Sequence, residues 1–138
     1  MVNAGDSRMI KDQVIDEKVY YVNRALLKQY ADASGDQNPI HQDEAFAKSV
    51  GLPDVIAHGM LTMALVGKYV TELAGGSVNV LEFGGRFTKP VIVPAGVDVD
   101  LTVSATVTNV EDGKVSLSLS ATSAGVKVLG MAKAVIAI

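Results

Sequence analysis

The 138-residue chain has no cysteine and no tryptophan, and only 5% of its residues are aromatic. Without cysteine there is no disulfide framework, no thiolate metal site, no iron–sulfur cluster and no cysteine nucleophile. An excess of positive charge is missing too. Twelve Lys+Arg against fifteen Asp+Glu leave a formal charge of −3, a poor match for nucleic acid, which is held by a basic face. The first residues, MVNAGDSRMIKD, contain no apolar core and no small-residue cleavage site, so no signal peptide and a cytoplasmic location are expected. The longest apolar-dominated stretch, Gly59 to Ala74, is interrupted by Lys68 and Glu72. It falls short of the ~20 residues that a membrane helix needs, so no membrane partner is expected.

What the chain does have is aliphatic bulk. Hydrophobic residues make up 49% of it, which argues against disorder. The length suits one domain able to bury about two-thirds of its unfolded surface. We read residues 1–138 as that domain, with 1–14 loosely ordered at its start. No Pro-, Gly- or Ser-rich linker, internal repeat or low-complexity tract divides it.

The two halves carry different periodicities. Val19 to Val22 is a short strand candidate, and Asn23 has the oxygen to cap a following helix. Leu26, Leu27, Tyr30 and Ala31 recur at helical spacing. The turn-forming run Ser34-Gly35-Asp36-Gln37-Asn38-Pro39 ends that helix. A second helix covers about 42–50, with Asp43 and Glu44 at its positive end, Lys48 at its negative end and Gly51 just beyond. Gly59 to Ala74 is apolar around most of its circumference, with Lys68 and Glu72 as one polar stripe, and so reads as a buried helix. From Val78 onward the period is two. Strands are expected over 78–88, over 97–108 with valines and Leu101 alternating with polar residues, over 115–122, and over 126–138. Asp112-Gly113 and Ala124-Gly125 supply the turns. Asp98 and Asp100 alternate outward and read as solvated. The fold class is α+β: one antiparallel sheet wrapped around a buried central helix, the hotdog arrangement. Such a sheet leaves an edge uncovered, which a second copy would naturally cover.

The only two histidines, His41 and His58, both fall in the turn-rich region. Asp36 precedes His41 by five positions, too far for neighbours on one helix face. Asn38-Pro39 bends the chain between them, and a bent loop brings carboxylate and imidazole together as an acid–base pair. A blander reading stands beside it: Asp36 closes an Asx-turn, and the His41 ring bonds to backbone. His58-Gly59-Met60 opens the buried helix. The free N–H groups there would polarise a carbonyl oxygen, and Gly59 would let a substrate come close. Equally, Gly59 could simply permit a tight turn. His58 reads as a residue that fixes the loop. A metal site from Asp36, His41 and His58 is not expected. Gly84-Gly85 lacks the spacing of a dinucleotide fingerprint.

Tyr30 to Asp43 (YADASGDQNPIHQD) resembles the signature of the MaoC-like, hydratase-2 family of hotdog proteins, whose core reads G-D-x-N-P-[IL]-H. Ile56 to Met60 and Arg86 to Val91, followed by Gly96, agree in the same order, so the resemblance covers roughly residues 15–138. It implies reversible syn addition of water to a trans-2-enoyl thioester, giving the (R)-3-hydroxyacyl thioester. Asp36 and His41 would be the catalytic pair, the Gly59 N–H the oxyanion donor, and Asn38 a residue shaping the loop. Some hydratases of the group carry Ser where this chain has Gly67. Arg86 and Lys89 would meet phosphates of the carrier or lie at a solvated strand end, the second being preferred. No cofactor is implied beyond the coenzyme A or acyl carrier protein that bears the substrate. Residues 57–63 are most similar to the branch that serves as one subunit of a heterodimeric 3-hydroxyacyl-carrier-protein dehydratase in actinobacterial type-II fatty-acid synthesis. The expected partner is therefore a second copy or a different hotdog subunit. A hotdog thioesterase is the alternative activity.

Overall fold

A computed structural model describes residues 9–138. Its strands are β1 (Val14–Val22), β2 (Val80–Phe87), β3 (Val99–Glu111), β4 (Lys114–Ser123), β5 (Val126–Lys127) and β6 (Leu129–Ala137). Its helices are α1 (Arg24–Ser34), α2 (Glu44–Ser49) and α3 (Gly59–Ala74), with 3-10 turns at Pro39–His41 and Ser77–Asn79. Residues 1–8 of the leading segment expected to be loose lie outside the described residues. In the rest of that segment Met9 is buried and the Asp12 N–H donates to the Val107 carbonyl at 2.7 Å, while Ile10 and Val14 are exposed.

The strands form one antiparallel sheet in the order β1-β3-β4-β6-β2, with β5 paired to β4. Alternation builds it. Leu101, Val103, Ala105 and Val107 of β3 and Val115, Leu117, Leu119 and Ala121 of β4 are all buried on one face. The other face pairs hydroxyls across the strands, Thr102 with Thr122, Ser104 with Ser120 and Thr106 with Ser118. Asp112 (φ 52°) and Gly113 (φ 73°) join β3 to β4, the double positive φ that a type I′ hairpin needs. β3 begins at Val99, not Val97, because a turn at 95–96 precedes it. The last predicted strand divides into β5 and β6. Asp98 and Asp100 are more than solvated charges. Asp98 accepts from the Asn23 amide at 3.0 Å, and Asp100 accepts from the Ala124 N–H at 3.0 Å.

Helix α3 lies against the buried face of the sheet. Leu61, Thr62, Val66, Tyr69, Val70, Leu73 and Ala74 are buried. The opposite side is open in the single chain, with Met60 60% exposed and Ala64 and Lys68 also exposed. The apolar circumference predicted burial on nearly all sides, but one sheet covers only one side of a helix. The Lys68–Glu72 stripe is also re-partnered: Glu72 meets Lys18 of β1 at 2.8 Å. Two phenylalanines of the edge strand β2 reach the helix at glycines. A Cβ on Gly59 would lie 3.1 Å from the Phe87 ring, and one on Gly67 would lie 3.2 Å from the Phe83 ring. β2 is otherwise exposed along almost its whole length, including Leu81.

Tyr69 fastens α3 to β1 by donating its hydroxyl to the Asp16 carbonyl at 2.9 Å. Burial pushes its phenol up to about 12. Tyr69→Phe is expected to cost about 0.5–1.5 kcal/mol in urea unfolding. Because the folded state holds the proton more tightly, Tyr69 contributes to stability fully below pH 10, and that contribution fades as the pH rises towards 12. The variant should lose less stability over that alkaline range than the wild type does.

Candidate active site

Three short polar side chains at alternate positions bend the chain after α1. The helix ends on Gly35, whose φ of 81° is the left-handed cap conformation that glycine adopts without strain. Ser34 Oγ then accepts from the Asp36 N–H at 3.2 Å. Asp36 Oδ1 accepts from the Asn38 N–H at 3.1 Å, and Asn38 Oδ1 accepts from the Ile40 N–H at 3.2 Å. Each bond closes a small side-chain turn, and the three follow one another. Pro39 starts the 3-10 turn that ends at His41, its fixed φ suiting a first helical position.

This ladder leads His41 from the exposed loop into the protein, where the residue is 7% exposed. Its Nδ1 lies 2.7 Å from the Ile56 carbonyl. A carbonyl only accepts, so Nδ1 carries the proton and Nε2 presents a bare lone pair. The segment containing Ile56 is held on both sides. The Ile56 N–H donates to the Ile40 carbonyl at 3.2 Å, and the Ala57 N–H donates to the Val91 carbonyl at 2.9 Å. Arg24 braces the same region: its Nε donates to the Val93 carbonyl at 2.6 Å, and its guanidinium meets Asp54 at 2.8 Å and Glu44 at 3.1 Å.

His58, 2% exposed, brings the second half of the site to the first. Its Nε2 lies 3.1 Å from the Asp36 carbonyl. Its ring stacks on His41 with centroids 3.9 Å apart and meets Tyr30 edge-on at 4.8 Å. Helix α3 begins at the next residue, and its first internal bonds run from the Leu61 and Thr62 N–H groups to the His58 carbonyl. The Gly59 N–H therefore stands at the helix's positive end.

Carboxylate and imidazoles converge. One oxygen of Asp36 and one ring nitrogen each of His41 and His58 lie within 4.8 Å of one another, with Asp36 exposed and both rings buried. Burial, with a smaller push from His58, holds His41 below its ordinary value of 6.5, while the Ile56 carbonyl and the Asp36 carboxylate oppose the shift. Two of the four ring nitrogens are engaged by backbone carbonyls. That leaves a donor set better suited to proton transfer than to enclosing a metal ion.

Asp36, Asn38, His41, His58 and Gly59 thus meet in one place, while Arg86 and Lys89 are exposed at the end of β2. The blander reading of each is what the hydrogen bonds show: Asp36 closes an Asx-turn, and the His41 ring bonds to backbone. The sequence presents Tyr30, Ile56 and Phe87 only as members of a helical stripe and of the family motifs, not as residues of the site. Ile56 acts through its carbonyl, and Phe87 meets Gly59 only through the fold. The alternation Ser34-x-Asp36-x-Asn38 is the readable trace of this ladder in the sequence.

A family model described as "MaoC like domain" matches residues 6–125. The chain belongs to the MaoC-like family. Over 77 residues it is 39% identical to a Mycobacterium tuberculosis protein named 3-hydroxyacyl-thioester dehydratase X, a match covering 56% of this chain and 26% of that protein. A solved MaoC-like dehydratase superposes with a TM-score of 0.92 at 30% identity, over 99% of this chain and 42% of that one. An R-hydratase from Pseudomonas aeruginosa superposes with a TM-score of 0.81 at 27% identity, over 99% of this chain and 85% of that one. Against the first two relatives this MaoC-like chain spans less than half their length.

The ladder makes a direct prediction. Asn38→Ala leaves the Ile40 N–H without its side-chain acceptor and should lower stability by about 0.5–1.5 kcal/mol. Urea unfolding of the variant beside wild type measures it.

Proposed function

We propose that the chain, acting as one hotdog domain, is a hydro-lyase of fatty-acid metabolism. It adds water reversibly to trans-2-enoyl thioesters to give (R)-3-hydroxyacyl thioesters. The observation that carries this reading is the meeting of an exposed Asp36 carboxylate, the bare Nε2 of His41 and the open N-terminus of α3. The name of the mycobacterial relative and that of the Pseudomonas hydratase support it.

In hydration, Asp36 and Nε2 of His41 hold one water between them; a carboxylate oxygen and a ring nitrogen of His41 lie within 4.8 Å of each other, a span that two hydrogen bonds of ~2.8 Å can bridge. The pair takes one proton from that water as its oxygen bonds to C3. It returns one proton to C2 on the same face, so the residues end as they began. Charge that gathers on the thioester oxygen in between is met by the Gly59 N–H and the positive end of α3. Asn38 holds the loop that carries the carboxylate. Dehydration runs the same steps backward. Water and the thioester, borne on coenzyme A or acyl carrier protein, are all the chemistry needs.

A second hotdog unit completes the site in this reading. Met60 on α3 and Leu81, Phe83 and Phe87 on β2 form an apolar surface beside Gly59, at an edge strand with unpaired backbone. The unit is either a second copy of this chain or a different hotdog subunit. Light scattering on the purified chain should return twice the monomer mass in the first case and the monomer mass in the second.

Hydration of crotonyl thioesters tests the activity. Asp36→Asn and His41→Ala should each lower kcat/KM by about 10²–10⁴ while thermal melting shows them folded. Undiminished turnover in either would remove that residue from the mechanism. Release of free thiol from saturated acyl thioesters would point to a thioesterase instead. His41 must be unprotonated to accept, and it sits below 6.5, so kcat/KM should hold at neutral pH and fall only in the acid range below that value.

A further inference from the structure

His58 is buried, yet one of its ring nitrogens, Nδ1, has no hydrogen-bond partner. A side chain chosen only to fill space there would carry no such nitrogen. Its other contacts link the two halves of the candidate pair: Nε2 reaches the backbone carbonyl of Asp36, and the ring lies on His41 with the planes 23° apart. Tyr30 meets the same ring edge-on. Because the Asp36 carbonyl only accepts, the His58 proton sits on Nε2 in the neutral ring, as the Ile56 carbonyl places the His41 proton on Nδ1. The two imidazoles therefore carry opposite tautomers.

We propose that His58 is a positioning residue, which keeps the reactive nitrogen of His41 bare by clamping its ring plane and ties that ring to the Asp36 backbone. The proposal rests on the function given above and assigns His58 no contact with substrate. The clamp works through two contacts. The stack stops His41 from turning about its side-chain bonds, so that Nδ1 stays on the Ile56 carbonyl. The Nε2–H bond keeps the Asp36 carbonyl, and with it the carboxylate, in register with that ring. An imidazole released into water favours the proton on Nε2, which in His41 would cover the lone pair that the reaction uses. The groups that face His41 are the Asp36 carboxylate, the Ile56 carbonyl and His58, and Tyr30 faces His58.

The chain has only two histidines, so nitrogen-15 NMR of ring-labelled protein resolves both. In the wild type at pH 8, His41 should report the Nδ1–H tautomer and His58 the Nε2–H tautomer. His58→Gln keeps a donor for the Asp36 carbonyl and removes the stack. It should turn His41 into a mixture of tautomers, lower kcat about ten- to a hundredfold with KM within about twofold, and move the acid limb of the rate profile up towards 6.5. His58→Phe keeps a stacked ring and loses the donor. It should preserve the His41 tautomer, raise the acid limb less than the Gln variant does because only the smaller push from His58 is lost, and lower kcat less as well. A wild-type His41 bearing its proton on Nε2 overturns the proposal. So does a His58→Gln protein that retains the Nδ1–H tautomer of His41, whether its turnover is normal or falls only with its melting temperature. The tautomer is read without turnover: a wild type that hydrates no enoyl thioester defeats the function, and the NMR still decides the clamp.

Discussion

The site depends on a run of three hydrogen bonds in which Ser34, Asp36 and Asn38 each accept from the backbone N–H two residues ahead. An extended loop of this length would leave its amide groups to water and its side chains to wander. Here each side chain satisfies a donor and fixes the next residue, so the loop behaves as a short rigid element. Its far end is pinned by the His41 ring on Ile56, and its middle by the His58 ring on Asp36. Remove the ladder and neither imidazole has a fixed relation to the carboxylate.

In the proposed mechanism that arrangement gives one residue a structural and a functional role together. Asp36 spends one oxygen on the turn, and its carboxylate remains exposed with a second oxygen. His41 spends one nitrogen on a carbonyl, which fixes the proton and leaves the other nitrogen basic. The bond that holds each group in place also prepares its free atom.

The elements with strong period were legible in the sequence. Alternating valines and hydroxyls over β3 and β4, the Asp112-Gly113 hairpin and the Asn23 cap all appear close to where pattern placed them, since each is a local preference. The pair Asp36 and His41 was legible because a proline-bent loop narrows where its residues point. What escaped depends on distant chain. Glu72 pairs with Lys18 rather than Lys68, since a strand 54 positions away lies closer than the next helical turn. Met60 is bare although it belongs to an apolar helix, because one sheet has only one face to offer. The Ile56 carbonyl, which sets the His41 tautomer, is a backbone atom and leaves no trace in residue type.

The two phenylalanines of β2 rest over helix positions where a side chain would begin. The spacing between strand and helix is thereby set by two missing methyl groups, at Gly59 and Gly67. A smaller residue on the strand would make space for a larger one on the helix at either contact, since each Cβ would meet the end of a ring rather than backbone. How closely β2 lies on α3 is therefore a matter of side-chain volume at two positions and not of the course of the backbone.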